Sequence, residues 1–565
     1  MENHMSNKNK IFLMCRMIIT APKRWVDNII VLQEKKKYNF FVILLFSFFV
    51  GLVRFILELI LGHRTVLMLN ISILNFVIFY LHTIFIYTMI LRIFVPKLEW
   101  RKSINLVLVG VFLGIFPPVI DVFIYGIGSF TYNYSVNFPE GWRLLLYNEK
   151  INFTFGETIT LFLTMFFTML VVFKYTKSII RALLAFFVTY LFVVFLSQVI
   201  PTLAFNMAVS GNIFLVNSHQ EYIAKIEDFL SISGFSYPCV LSFMQIVFIF
   251  CIYLFLNPGI AKNIMRRINH AIPAGLTCLL GYSIHKHVDG YAIIISIIFM
   301  FAFIVAIIQN DFFDRTEDDI EGRSAYLDKN DVTFFNSILF IIIALLLLAG
   351  NITGYLLLLF MVVSFLYNYD YYRAKKYFPA NNKIEGIFGV SAFLGGLSMA
   401  FIVDNKISGD VLNIQNLVIL FGIGAIKKID DSTRNFWNLK YIVMTFLVFG
   451  GWFFISIFKD YKDIQGDSAA GNQTVYTLLK RRNKDIYFFH KLFSLCIFIF
   501  LLIPPIWLII SGLEPFFSIN LITCDIILLI FLTRKKTKRA VEMSFAILNI
   551  YLLCLVIGSH LMHQL

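Results

Sequence analysis

The chain has 565 residues, 59% of them hydrophobic and only 15% charged, with a net charge of +14 and a mean hydropathy of +0.79. Soluble globular domains carry about 25% charged residues, so that class is excluded, and modest Gly (30) and Pro (13) exclude collagen-like and linker-type chains. A polytopic membrane protein remains, in which charge is scarce enough for its clusters to be informative.

In chain order, the apolar stretch at 11 to 20 is interrupted by Arg16 and followed by Lys23 and Arg24. It reads as a short interfacial helix anchored by Trp25, not as a cleaved signal peptide. Runs long enough to cross a bilayer, about 17 to 25 residues each, follow near 40 to 61, 67 to 91, 104 to 128, 157 to 173, 179 to 200 and 238 to 256. Nine more lie near 271 to 285, 291 to 308, 333 to 349, 352 to 367, 384 to 402, 441 to 458, 491 to 511, 517 to 533 and 540 to 560. The expectation is an all-α fold with about 15 transmembrane helices. The seven cysteines are scattered, with no metal or redox spacing.

A sixteenth apolar run, 411 to 426, is short and leads into Lys427 and Lys428. Read as re-entrant or interfacial, it leaves 36 of the 48 lysines and arginines in loops on one side, which the positive-inside rule makes cytoplasmic. The excess positive charge is thus a topological signal. It points to anionic lipid headgroups as partners and not to nucleic acid. The basic loop at Lys262, Arg266 and Arg267 divides a six-span half, 1 to 256, from a nine-span half, 262 to 565.

Two helix ends in the second half share one arithmetic. The run 291 to 308 leads into Asn310-Asp311-Phe312-Phe313-Asp314, then Asp318; the run 441 to 458 leads into Lys459-Asp460, then Asp463 and Asp467. Both read D-x-x-D-x-x-x-D. Spacings of three and four place the carboxylates on one helical face, where like charges repel. Acidic residues at a solvated helix end need no function, but two copies with identical spacing on one predicted side argue for a cation held between them. Oxygen-only donors suit a hard divalent ion, and Mg²⁺ typically joins one or two carboxylates to substrate phosphates. Two such faces make a metal-bridged diphosphate site, with Asn310, Asp311, Asp314, Asp318, Asp460, Asp463 and Asp467 as candidate metal ligands.

Asn310-Asp311-x-x-Asp314-x-x-x-Asp318, and Asp463-x-x-x-Asp467 within KDYKDIQGDSAAGNQT, resemble the two signature motifs of the UbiA superfamily of intramembrane prenyltransferases. The resemblance covers about 262 to 565 and implies a nine-helix bundle. It also implies Mg²⁺-dependent transfer of an isoprenoid chain from a prenyl diphosphate to a membrane-associated acceptor, with release of diphosphate. Asp311, Asp314, Asp318, Asp463 and Asp467 are then the catalytic carboxylates. The segment Tyr369-Asp370-Tyr371-Tyr372-Arg373-Ala374-Lys375-Lys376 is similar to the family's diphosphate-holding Tyr and Lys segment. Tyr372, Lys375 and Lys376, with Asn310, Arg323 and Lys459, are the expected diphosphate contacts, and Arg266, Arg267 and Asn269 stand where the family often has a polar, basic entry to the site. Cationic groups would invert the potential of the acidic faces and stabilise the leaving diphosphate. Aromatic side chains such as Phe299, Phe301, Phe303, Phe453 and Phe454 either stabilise positive charge on the allylic carbon or, Phe being so common in this chain, face lipid or core, and they are not counted among the site residues.

Many quinone-pathway relatives follow the first motif with Arg-Pro, whereas here Arg323 stands without the Pro. Lipid, aromatic and phosphorylated acceptors all stay open. Asp525, in mid-span, is either functional or packed by hydrogen bonds. The half before residue 257 has no comparable motif; Ala21-Pro22-Lys23-Arg24-Trp25 and the helices after it resemble the Yip-type membrane domain of bacterial proteins. Arg54 and Glu58 can pair at i,i+4, and Asp121 follows a Pro117-Pro118 helix break. The expected location is the bacterial inner membrane, with the site facing the cytoplasm. The alternative is a transporter using the acidic faces as a cation or proton site, which would require internal repeat symmetry and acids near mid-membrane.

Overall fold

The computed structural model describes residues 39–61, 69–128, 154–194, 200, 237–314, 327–348, 351–369, 374–404, 439–461, 464–469, 471–510, 515–533 and 538–562. The 411 to 426 run, the amino-terminal interfacial helix, Asp318, Arg323, Tyr372 and Asp463 lie outside them. The protein is an all-α integral membrane protein. Fourteen of the fifteen predicted runs each coincide with one helix over their described residues, and the run 104 to 128 is divided between two helices by a 3₁₀ turn at Leu113–Ile115. Among the described residues, ten helices are long and apolar enough to cross a bilayer, and three more are apolar but shorter.

The chain forms two compact units, Met1–Thr202 with Met244–Leu256, and Leu203–Phe243 with Asn257–Leu565. The first contains α1 (Phe40–Leu61), α2 (Leu69–Phe94), α3 (Trp100–Phe112), α4 (Pro117–Tyr125), α5 (Phe155–Thr176), α6 (Ile179–Val194) and most of α7 (Tyr237–Leu256). Arg54 of α1 pairs with Glu58 at 2.5 Å and approaches Glu157 of α5 at 3.5 Å. Asp121 is buried and accepts from the Gly156 amide at 2.7 Å, supplying negative charge to the N-terminus of α5. That helix start is also closed by a capping box between Thr154 and Glu157.

The second unit contains α8 (Pro258–Ser283), α9 (Gly290–Phe313), α10 (Lys329–Leu348), α11 (Ile352–Asn368) and α12 (Ala380–Asp404). It continues with α13 (Leu439–Asp460), two short helices, α14 (Ile464–Ala469) and α15 (Val475–Arg481), and then α16 (Ile486–Ile510), α17 (Pro515–Thr533) and α18 (Lys538–Met562). Packing runs α8–α12–α13–α16–α17–α18 and back to α8, a closed ring, with α9, α10 and α11 layered beside α8 and α12. In lipid, helices associate through close packing and small residues more than through the hydrophobic effect. The α8–α12 contact shows this reciprocally. A side chain at Gly281 would run into the Phe393 carbonyl, and one at Gly396 into the Cys278 carbonyl.

Candidate active site

The acidic helix ends are positioned by buried polar networks. Near the end of α9, Gln309 donates to Asn336 of α10 at 2.7 Å and accepts from Ser364 of α11 at 2.8 Å. Asn368 donates to the Ala306 carbonyl at 3.3 Å. These pairings offset the cost of burying polar groups at low dielectric, and together they favour one rotation of α9. At the second motif, Asn472 donates through its side chain to Asp467 at 2.9 Å and through its backbone to the Asp467 carbonyl at 2.8 Å. Thr474 caps α15 through the Thr477 amide. The Tyr476 hydroxyl lies 3.1 Å from His490 Nδ1, and Tyr461 stacks on the same imidazole at 3.7 Å. Burial raises the Tyr476 pKa far above its ordinary value, so its proton stays in place to serve that contact.

The 3₁₀ turn Ala374–Lys376 is tied to the second motif. The Gln473 amide donates to the Lys376 carbonyl at 2.6 Å, and Phe378 donates back to Gln473 at 2.9 Å. The Lys376 side chain is not part of the cavity wall, and the Lys375 side chain lies outside the described residues.

Both motifs meet at one cavity of about 750 Å³. Its polar end carries Asn310 and Asp314 from the end of α9, and Lys459 and Asp467 from the end of α13 and the short helix after it. Arg266, Arg267 and Asn269 of α8 also line it, as do Asn263 and His270. Lys459 is paired with Glu385 of α12 at 2.9 Å, and Tyr367 adjoins both at the wall. The rest of the wall is apolar, with Met444, Leu447, Leu501, Leu548, Leu552 and Leu555 among its residues. Between Ser456 and Met444, both on the wall, α13 rises about 18 Å at 1.5 Å per residue. The cavity is therefore long, with a charged end and an apolar barrel.

Not every expected residue reaches the wall. Asp311 is buried, and its carboxylate is taken by Arg267 Nη1 and, at 3.1 Å, by Asn263 Nδ2. Asp460 is buried and accepts from Asn381 at 3.1 Å. Of the five phenylalanines, only Phe303 lines the cavity. Phe299 is sealed against Gly395 and Phe360, Phe301 stacks on Phe335, and Phe453 and Phe454 pack beside Tyr461 and Tyr476. The aromatic wall comes instead from Phe388, Trp452, Phe500, Phe545 and Tyr551. With 64 phenylalanines in the chain, composition alone could not choose among them. Asn263, His270, Glu385, Tyr367 and Trp452 escaped the sequence reading. The first two had a signal, because Asn263, Arg267 and His270 stand at i, i+4 and i+7 on one face of α8.

The donors fit a hard cation. Asn310, Asp314 and Asp467 supply oxygen, and the Asn472 amide oxygen beside Asp467 is buried with no hydrogen-bond donor among the described residues. No cluster of three or more His, Cys, Asp or Glu is gathered among the described residues, which exclude Asp318 and Asp463. Asp525 of α17 is buried and is not a wall residue of the cavity, and neither of its carboxylate oxygens is hydrogen-bonded among the described residues.

The sequence model of the UbiA prenyltransferase family matches residues 271–553, half of the chain. A solved structure titled as structural and mechanistic insights into the biosynthesis of digeranylgeranylglyceryl phosphate synthase in membranes aligns at 20% identity and a TM-score of 0.33, covering 52% of this chain and 95% of that one. No curated protein matches the sequence.

Proposed function

Because the chain belongs to the UbiA prenyltransferase family and is a prenyltransferase, we propose that it moves a prenyl group from a prenyl diphosphate to a membrane-associated acceptor, at the cavity between the ends of α9 and α13. One observation carries this reading: two acidic helix ends share the polar end of a cavity whose other walls are apolar over most of a helix length. A prenyl diphosphate has the same division, a polyanionic head on a hydrocarbon chain.

Mg²⁺ is the implied partner, and Asn310, Asp314 and Asp467, joined by Asp318 and Asp463, would hold it. Bound there, it would supply positive charge to the leaving diphosphate. The chain's own residues do the rest. Arg266 and Arg267 add positive charge to a wall that would otherwise repel an anion. Lys459, paired with Glu385, adds a basic side chain to the wall that also carries Asp467. Phe303, Phe388 and Trp452 present ring faces and edges where the allylic carbon would sit and gain positive character. The apolar barrel excludes water, which would otherwise compete with the acceptor for the prenyl carbon.

The site and its residues are assigned to an enzymatic half that begins at α8, with the half before it in a separate role. The membrane is proposed to be the bacterial inner membrane, with the polar end facing the cytoplasm. The test is to offer purified protein in detergent prenyl diphosphates of C15, C20 and longer chains, with lipid, aromatic and phosphorylated acceptors. Mg²⁺-dependent release of diphosphate coupled to a prenylated product is expected. No release with any pair, in protein that remains folded, would sink the proposal.

A further inference from the structure

Asp311 and Asp314 differ in placement although both belong to the first motif. At about 100° per residue, Asn310 and Asp314 stand roughly 40° apart around α9, and Asp311 is turned about 100° from Asn310. The first two therefore reach the cavity wall, and Asp311 faces α8. There its side chain is fully buried, while that of Arg267 is 27% exposed. One Asp311 oxygen accepts from Arg267 Nη1 and the other from Asn263 Nδ2.

A carboxylate so engaged would have to abandon a guanidinium in direct contact before it could ligate a metal, and the freed charge would be costly at a fully buried position. The pairing is better suited to holding Arg267 than to holding an ion. A guanidinium has five N–H donors in a rigid fork, so anchoring one arm orients the others. Arg267 is itself a wall residue of the cavity, close in sequence to Arg266 and His270, which line it too.

We infer that Asp311 is a positioning residue and not a metal ligand: together with Asn263 it fixes the Arg267 guanidinium on the cavity wall, where Arg267 binds a phosphate-type oxyanion of the substrates. This rests on the prenyl-transfer reading for the presence of such an anion. Its source is either the diphosphate of the donor or the phosphate headgroup of an acceptor.

The experiment uses the full chain in detergent and the variants Asp311→Asn, Arg267→Gln, Arg267→Lys and the double variant Asp311→Asn/Arg267→Gln. Mn²⁺ binding is read from the electron paramagnetic resonance signal of the free ion. Binding of farnesyl thiodiphosphate and, separately, of a monoalkylglycerol phosphate is read by calorimetry. Asp311→Asn and Arg267→Gln should each weaken the same phosphate probe by about tenfold or more, and the double variant should be no worse than either single one. Mn²⁺ affinity in Asp311→Asn should stay within about twofold of wild type, and Arg267→Lys should recover part of the anion binding. The probe that responds identifies the source of the anion. The double variant also guards against misfolding, since it leaves no buried charge without its partner.

A tenfold loss of Mn²⁺ affinity in Asp311→Asn would overturn the inference. So would losses that multiply in the double variant, or phosphate binding unchanged in Arg267→Gln. Failure of the prenyl-transfer reading looks different. Wild type would then bind neither probe, which removes the anion and the inference with it, whereas failure of the inference alone leaves wild-type binding intact.

Discussion

At the scale of single residues, the site shows how a small rotation decides a role. Asp311 and Asp314 are three positions apart, yet one is sealed against Arg267 and the other lines the cavity. Spacing alone made both look alike, because residues at i and i+3 share a face only within about 60° and the partner helix decides which edge of that face is open. The same holds for Phe303 and Phe299, of which only the former reaches the wall. Asp525 makes a sharper case. Sequence marked it as an ionisable group within a span, and the structure leaves both its carboxylate oxygens without hydrogen bonds among the described residues, off the cavity wall. A buried polar group without partners costs about 1–3 kcal/mol. Asp525→Leu should therefore raise the thermal unfolding midpoint while prenyl transfer continues; a lowered midpoint would show that the carboxylate is held after all.

At the scale of elements, three proline breaks share one solution. A proline lacks the N–H that would bond the carbonyl four residues earlier, and in lipid that carbonyl must find another donor. Pro118 frees the Gly114 carbonyl, which accepts from Tyr80 at 3.0 Å and Arg54 at 3.3 Å. Pro273 of α8 frees that of Asn269, which accepts from Asn549 at 3.2 Å. Pro505 of α16 frees that of Leu501, which accepts from Tyr551. Asn549 and Tyr551 both belong to α18, so one helix completes two broken ones that line the cavity. Tyr551→Phe should cost about 1–3 kcal/mol, read as a lower unfolding midpoint and faster hydrogen exchange near Leu501. The prolines were legible in the sequence, but their partners were not, being some 50 and 280 residues distant. The α8–α12 contact gives a second expectation. Gly396→Leu should separate the helices and destabilise the protein by several kcal/mol, since its side chain would meet backbone that cannot yield. Gly451, with open space around it, should accept alanine with little change.

At the scale of the whole molecule, the helical architecture and the order of its spans were legible because apolar length is a local property, and fourteen of the fifteen predicted runs each coincide with one helix over their described residues. The meeting of the two acidic ends was foreshadowed by their repeated spacing. Which other residues join them was not, because Glu385, Tyr367 and Trp452 come from three different helices and carry no shared pattern. Every wall residue of the cavity lies after residue 262. A chain starting at Asn257 should accordingly retain prenyl transfer within about tenfold of the full protein if it folds, as checked by activity alongside circular dichroism. Loss of activity in a well-folded fragment would assign the preceding half a direct part in the reaction. The central claim, that both helix ends serve one prenyl-transfer site, is tested most directly by following diphosphate release from a labelled prenyl diphosphate in wild type, Asp314→Ala and Asp467→Ala. Each substitution, on a different helix end, is predicted to abolish Mg²⁺-dependent release while helicity and unfolding midpoint are preserved. Release at the wild-type rate by either variant would contradict the account.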